Sequence, residues 1–360
     1  MSHKLESILE SAIERGASDI HLTVGVKPTI RMDGVLMQLE EFEINTPEMV
    51  AEHTRSLVTD EQFEKYVKEK EVDTSMTFGD VRFRIHIFKQ SNADAIALRI
   101  IPKEIPSFKE LSIPPVIKKF TTMPNGLVLI TGTTGSGKST TLASIIDEIN
   151  ENFQKHIVTV EDPIEYVHNH KRSIVNQREL GSDVLSFQRA VRAAMREDPD
   201  VLLIGEMRDL DTIQNAITMA ETGHLVFGTL HTKSVAETVG RIIDIFPPEQ
   251  QTQIRTQLAS SIKGIVSQNL LPKIGGGRVP SCEVMIVNDA IKAIIRDNQS
   301  PNAIIDQIQM NSKKVGSQTL IQSLARLVVD KKITLETARE GMADKDIVLL
   351  NSMIVSYSKS

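Results

Sequence analysis

The segment Gly132-Thr133-Thr134-Gly135-Ser136-Gly137-Lys138-Ser139 sets a glycine, four residues and a Gly-Lys-Ser triplet in the spacing of a phosphate-binding loop. An apolar run, "GLVLIT", precedes it. Leu142, Ile145, Ile146 and Ile149 follow at helical spacing, so the motif sits between a strand and a helix as it must. Glycines let such a loop curl its N–H groups inward onto phosphate oxygens, and the helix N-terminus adds a favourable field. The expectation is that residues Gly132 through Lys138, with Ser139 and Thr140, bind the phosphates of ATP. Lys138 would reach the β- and γ-phosphates, and the Ser139 hydroxyl would ligate Mg²⁺.

Acids follow at two further strand ends. In "DVLLIGEMRD" the run Val201 to Ile204 reads as a buried strand, and Glu206 emerges past its C-terminal end, where open α/β sheets bind ligands. Glu206 suits a second Mg²⁺ contact, direct or through water; capping the next helix is the plainer role. "HIVTVEDPIEYV" ends in Glu161, Asp162 and Glu165, with Pro163 stopping the strand. Hydrolysis needs a group that orients the attacking water, and a solvated acidic turn is the alternative. "GHLVFGTLHT" carries His224 and His231 with no cysteine or Glu-x-x-His companion to suggest metal.

The elements that must position these residues follow from the pattern of the chain. Its 360 residues suffice for two cores. From about residue 111, short apolar runs alternate with amphipathic stretches, implying a parallel sheet covered on both faces. From Asn288 onward the pattern is helical. The first hundred residues mix short helices and strands, with a hairpin turn at Asp33-Gly34 and N-caps at Thr46 and Thr59. Prolines 102, 106, 114 and 115 mark an extended connector, with the linker at 103–110. This predicts domains at 1–102 and 111–360, the latter with a helical subdomain from about 288.

Charge and composition narrow the function. The net charge is -6, and the first hundred residues hold 12 basic against 18 acidic groups. That is the wrong sign for a general nucleic-acid binder, so a translocase on DNA or RNA is disfavoured and no nucleic acid is expected as a partner. One cysteine, Cys282, excludes an internal disulfide and a cysteine zinc site. No apolar run is long enough to span a bilayer, and the amphipathic, acid-rich start does not read as a signal peptide; both favour a cytoplasmic protein.

The P-loop, "VEDPIEY", "LLIGEMRD" and "AETGHLVFGTLHT" occur in the order of the secretion ATPases, the hexameric motors of type II secretion and type IV pili. The resemblance spans nearly the whole chain. The opening "GASDIHLTVGVKPTIRMDGVL" and the closing "SQTLIQSLARLVVDKKITLETAREGM" resemble the pilus-retraction branch. What the resemblance implies is an α/β protein: a small α+β, PAS-like N-terminal domain followed by a RecA-like P-loop ATPase domain with a helical C-terminal end. It implies Glu165 as catalytic base and Glu161 close to Mg²⁺. It implies His231 as a γ-phosphate sensor and His224 as a coupling residue. In "VRFRIHIF" alternation puts Arg82 and Arg84 on one face, and by resemblance Arg82, Arg84 and Arg99 are candidate contacts to nucleotide. Arg192 and Arg196 share a helix face at i, i+4, balanced between a motor contact and a surface role. The implied assembly is a homohexamer at the cytoplasmic face of the inner membrane. It would hinge through residues 102–110, turn a membrane-embedded platform protein, and through it withdraw pilin.

Two features favour retraction over extension or secretion: the chain opens directly at the small domain, and "LLPKIGGGRVPSCEVM" lacks the four-cysteine zinc insertion. One departure runs the other way. Where retraction enzymes carry an "AIRNLIRE"-like motif this chain reads "AIKAIIRD", so Lys292 loses the planar guanidinium fork and Ala293 an amide.

Overall fold

In the computed structural model, which describes residues 3–32 and 34–358, the chain divides into two compact units. One holds the residues up to Glu104 together with Glu165–Val167; the other holds Ile105–Ile164 and the residues from His168 on.

The first unit opens with helix α1 (His3–Glu14), whose Leu5, Ile8, Leu9 and Ala12 are buried. Strands β1 (Asp19–Thr23), β2 (Thr29–Met32) and β3 (Val35–Gln38) follow, then helices α2 (Pro47–Leu57) and α3 (Asp60–Glu69). Strands β4 (Glu71–Phe78), β5 (Val81–Gln90) and β6 (Ala93–Ile101) complete an antiparallel sheet of order β3-β2-β1-β6-β5-β4. Thr46 accepts from Met49 N–H, and Thr59 with Gln62 forms a reciprocal capping box. The expected turn residue Asp33 lies outside the described residues; Gly34 beside it has φ +85°. Alternation holds on β5: Phe83, Ile85 and Ile87 are fully buried, and the residues between them are not.

The second unit begins with helix α4 (Phe108–Leu111) and a 3₁₀ segment, Pro115–Thr122. The prolines of this stretch predict extended chain throughout. Ser107 and Glu110 instead close a capping box, a local helix signal that the flanking prolines leave undisturbed. Next come β7 (Gly126–Thr131), α5 (Lys138–Asn152), β8 (His156–Glu161), β9 (Ile174–Glu179), α6 (Phe187–Ala194), β10 (Val201–Ile204), α7 (Leu210–Glu221), β11 (Leu225–Leu230), α8 (Val235–Asp244) and α9 (Pro248–Ser261). A long hairpin, β12 (Ile262–Pro272) and β13 (Arg278–Ile286), precedes the C-terminal helices α10 (Asp289–Arg296), α11 (Pro301–Met310), α12 (Ser312–Val315), α13 (Leu320–Val329), α14 (Leu335–Arg339) and α15 (Asp344–Tyr357). Helix α6 stops at Ala194, so Arg196 lies beyond it and does not share a helix face with Arg192.

The sheet runs β13-β12-β7-β11-β10-β8-β9, all parallel except β13. Successive residues of β7 serve opposite faces. Val128 and Ile130 pack with Ile145, Ile146 and Ile149 of α5, whereas Leu127 and Leu129 pack with Ile217, Ile242 and Leu258 of α7, α8 and α9. The outer edge of β13 is closed by residues 317–323. Val284 and Gln318 exchange backbone bonds of 2.8 and 2.9 Å, Ser317 Oγ accepts from Ile286 N–H at 3.1 Å, and Ser323 Oγ accepts from Cys282 N–H at 3.0 Å. Cys282 is fully buried, which pushes its thiol up to about 12, so it serves as a small apolar side chain.

Candidate functional site: the C-terminal edge of the parallel sheet

Parallel strands deliver their C-terminal ends to one edge, and neighbouring strands lie about 4.8 Å apart. Here β7 runs into the P-loop, β11 into His231, β10 into Gly205 and Glu206, and β8 ends at Glu161. Register fixes their height. Thr131 sits opposite Leu230, Gly228 opposite Ile204, and Ile204 opposite Val160. The residues that follow therefore emerge side by side.

The loop needs its glycines. Gly132 has φ +146°, and a Cβ there would fall 2.2 Å from the Gln268 carbonyl oxygen; Gly137 has φ +87°, and a Cβ there would stand 2.8 Å from the Gln268 amide. Thr133, Thr134, Gly135 and Ser139 are open or partly open to a ligand. Lys138 Nζ folds back over the loop and donates to the carbonyls of Gly132 at 2.8 Å and Thr133 at 3.0 Å. Burial draws its ammonium below the ordinary lysine range, with the Glu206 carboxylate opposing that shift. A partly buried cation whose hydrogen bonds go to two loop carbonyls is suited to exchange them for phosphate oxygens.

Glu206 accepts from Arg208 Nε at 2.5 Å and lies 3.1 Å from His231 Nε2. These three open onto a cavity also lined by Thr232, Glu237 and Arg241. A His231 ring bonded to an acid that itself faces Lys138 can change partners when phosphate arrives. Glu161 accepts from Thr159 Oγ1 at 2.7 Å and from Gln177 Nε2 at 3.1 Å. Gly205 separates the two acids: its own N–H reaches Val160 O at 2.7 Å, and a Cβ would stand 3.1 Å from Glu161 Cα. For Mg²⁺ the donor set fits. The Ser139 hydroxyl and Glu206 supply oxygens alone, and this ion takes one or two protein oxygens with phosphates and water filling the rest. Among the described residues no cluster of three His, Cys, Asp or Glu forms a self-sufficient metal site.

His224 is not part of this edge. It precedes β11 while His231 follows it, and six strand residues separate the two by about 20 Å. Its Nδ1 lies 3.0 Å from Met219 O at the end of α7, and its carbonyl accepts from Gly126 N–H at the start of β7. That is a structural role at the opposite edge.

Glu165, Arg82, Arg84 and Arg99 belong to the first unit. Arg84 and Arg99 stand directly opposite on β5 and β6, an unfavourable like-charge pair. Arg99 Nε donates to Asp19 at 2.9 Å; although burial acts the other way, that bond and one from Ser18 hold the Asp19 carboxyl below its usual range. Arg82 donates to Ser75 Oγ at 2.8 Å. The Arg84 side chain has no hydrogen-bond or ion-pair partner among the described residues, and it lines a cavity of about 470 Å³ with His21 and His86.

The structure adds three contributors to the residues singled out above, one of which local sequence reasoning could have found. Gln268 on β12 is 2% exposed; its Nε2 donates to Ser136 O at 2.8 Å and its Oε1 accepts from Thr141 Oγ1 at 3.0 Å, clamping the P-loop to the first turn of α5. No local pattern marks it, since the pairing spans more than a hundred residues. Arg208 is within reach of such reasoning, two residues past Glu206 in "GEMRD". Leu111, Ile113, Thr140, Leu270 and Arg278 line a further cavity of about 290 Å³ beside Gly137.

The sequence model of the family described as type II/IV secretion system protein matches residues 1–303. The type IV pilus retraction ATPase PilT of Pseudomonas aeruginosa is 43% identical over 341 residues, covering 93% of this chain and 97% of its own. A twitching motility protein of Neisseria gonorrhoeae is 46% identical over 318 residues, 87% of this chain and 83% of that one. The crystal structure of the pilus retraction motor PilT with bound ADP superposes with a TM-score of 0.88 at 49% identity, covering 94% of this chain and 97% of that one.

Proposed function

The chain belongs to the type II/IV secretion system protein family, and on that footing we propose that it is the motor of type IV pilus retraction, driven by ATP hydrolysis. It is a P-loop ATPase. The observation that carries the reading is the convergence of the P-loop, Lys138, His231 and Glu206 at one sheet edge, in a chain similar along its length to a retraction ATPase.

At this edge the loop N–H groups and Lys138 hold the phosphates. Ser139 and Glu206 would hold Mg²⁺, which supplies charge neutralisation on the β- and γ-phosphates. His231, bonded to Glu206, reads whether the γ-phosphate is present. The base rests in the cavity beside Gly137, against Leu111, Ile113 and Leu270. To Glu165 we assign the water-orienting role. To Arg84, alone among the three arginines in having no partner among the described residues, we assign stabilisation of transition-state charge, in the same chain or a neighbouring one. Glu161 stays close to the metal as a hydrogen-bonded acid. The working assembly is a homohexamer that turns a membrane-embedded platform protein from the cytoplasmic face and so withdraws pilin. No helix among the described residues is long and apolar enough to cross a membrane. In "AIKAIIRD" Lys292 pairs with Asp289 at 3.1 Å on the outer side of α10, while Ile291, Ile294 and Ile295 are buried. Both departing positions, Lys292 and Ala293, are half-buried beside that apolar face rather than part of it.

Lys138→Ala tests both halves. Purified protein should lose phosphate release, and retained turnover would sink the site assignment. Cells carrying only this variant should accumulate surface pili and lose twitching; loss of pili would instead mean extension.

A further inference from the structure

The buried acid Glu283 has no part in the chemistry described above. It lies on β13, is 7% exposed, and its Oε2 accepts from the backbone N–H of Val235 at 2.8 Å. Val235 is the first residue of α8, and its N–H is one of the donors that a helix leaves unpaired. The local caps are engaged elsewhere: Ser234 Oγ accepts from Glu237 N–H, and the Glu237 carboxylate accepts from Lys233 N–H. Glu283 is thus a cap supplied from 48 residues away. Burying a carboxyl in a sheet is costly unless a directed bond offsets it, and a helix N-terminus is a favourable place for one.

The position of α8 matters because of what precedes it. His231 is four residues upstream of Val235, on the turn joining β11 to α8. That turn is held at a second point. Thr238 Oγ1 donates to Ser234 O at 2.7 Å, so Thr232 Oγ1, 2.6 Å away and buried, donates to it. Across the sheet, Glu283 pairs with Ser267, Ser267 with Thr131, and Thr131 with Leu230, the residue before His231. One row of the sheet therefore runs from Glu283 to the base of the P-loop and on to His231. The backbone on both sides of His231 is tied to this row, leaving the ring to swing between Glu206 and phosphate.

We propose that Glu283 is a positioning residue for ATP hydrolysis, fixing the turn that aims His231 at Glu206 and the γ-phosphate. The inference rests on the nucleotide role assigned to His231. Without the cap, α8 and the turn shift as a unit while the P-loop, held separately by Gln268, does not. Turnover suffers and nucleotide binding does not.

The test is steady-state hydrolysis and ADP binding by the full chain carrying Glu283→Leu, Glu283→Gln or Val235→Pro. Leucine removes the acceptor. Proline at the first helical position removes the donor while keeping a helical φ, and the variant's melting temperature reads separately any loss of packing at the fully buried Val235. Both should lower kcat by about ten- to a hundredfold, the cost of a small misplacement at a reacting centre, with ATP KM and ADP affinity unchanged. Glutamine keeps an acceptor oxygen and should restore most of the turnover. In a His231→Ala background Glu283→Leu should have no further effect, because residues acting through one group are not additive. The inference is overturned by wild-type kcat in a folded Glu283→Leu protein, by parallel loss of ADP binding, by further loss on the His231→Ala background, or by a folded glutamine variant as slow as leucine. If leucine prevents folding, glutamine and proline decide. An inactive wild-type protein would overturn the ATPase reading itself, whereas an active one indifferent to Glu283 would overturn only this inference.

Discussion

Gln268→Leu should uncouple the P-loop from the sheet without touching nucleotide. The glutamine amide bonds Ser136 O and Thr141 Oγ1, and all three residues are at most 3% exposed. Leucine fills nearly the same volume, so little cavity is created. The loss is electrostatic: a carbonyl and a hydroxyl remain buried, each unmade bond costing about 1–3 kcal/mol. Taking about 3 kcal/mol for the pair, the melting temperature of a unit of this size should drop by about 6–12 °C. The loop that loses its clamp is the one whose N–H groups must converge on phosphate, so ADP affinity should fall about tenfold, equivalent to about 1.4 kcal/mol. Differential scanning calorimetry and ADP titration measure the two. Thr141→Val removes one of the two bonds, and the double variant should be no worse than Gln268→Leu alone. A Gln268→Leu protein with wild-type melting and ADP affinity would refute the clamp.

Three further outcomes are expected. Gly264→Ala should cost about 1–3 kcal/mol by overpacking, because the new Cβ would stand 2.3 Å from the fully buried Phe120 ring and 2.9 Å from Met285 O; calorimetry checks it, and Phe120→Leu in the same chain should recover part of the loss. Burial holds the His168 imidazole down at about 4. The unfolded chain therefore binds the extra proton as pH falls from 6.5 toward 4, and stability drops over that window, by about 1.6 kcal/mol between pH 6.5 and 5. Urea titrations at both pH values should show a shallower slope in His168→Gln than in the wild type, the remainder coming from His21 and His53, which burial also holds below the ordinary imidazole range. Arg84→Ala should lower kcat at least about a hundredfold with little change in melting, whereas Arg99→Ala, which breaks the Asp19 ion pair, should show mainly in the melt; the reverse pattern would reassign the phosphate contact.

Local signals are legible in the amino-acid sequence. The P-loop, the strand that launches Glu206, and the capping boxes each depend on residues within a turn or two, and they stand where their spacing puts them. The hairpin of β12 with β13 is only partly legible: its five-residue connector, Lys273 to Gly277, is the Gly-rich kind hairpins use, but the strands are buried on both faces and show no alternation. Strand β9, "IVNQRE", escapes notice for its polarity: only Val175 and Glu179 are buried on it. His224 is a different failure. The strand "HLVFGTL" is plain from its apolar run, and a strand of that length must send the residues at its two ends to opposite edges of the sheet. Shared membership of one motif outweighs, in the reading of His224, a distance that the strand's own length already contains.

The closure of β13 by residues 317–323 has a consequence for how the chain is made. During synthesis every strand of the central sheet emerges before the segment that covers its last edge. For that interval Cys282, Val284 and Ile286 present bare N–H and C=O groups to any neighbouring nascent chain, a template for strand addition. A chain ending before Ser317 would keep that edge indefinitely. It should precipitate through edge-to-edge pairing even though its nucleotide-binding residues are all present, so the C-terminal helices act as a solubility seal on a sheet that is otherwise finished.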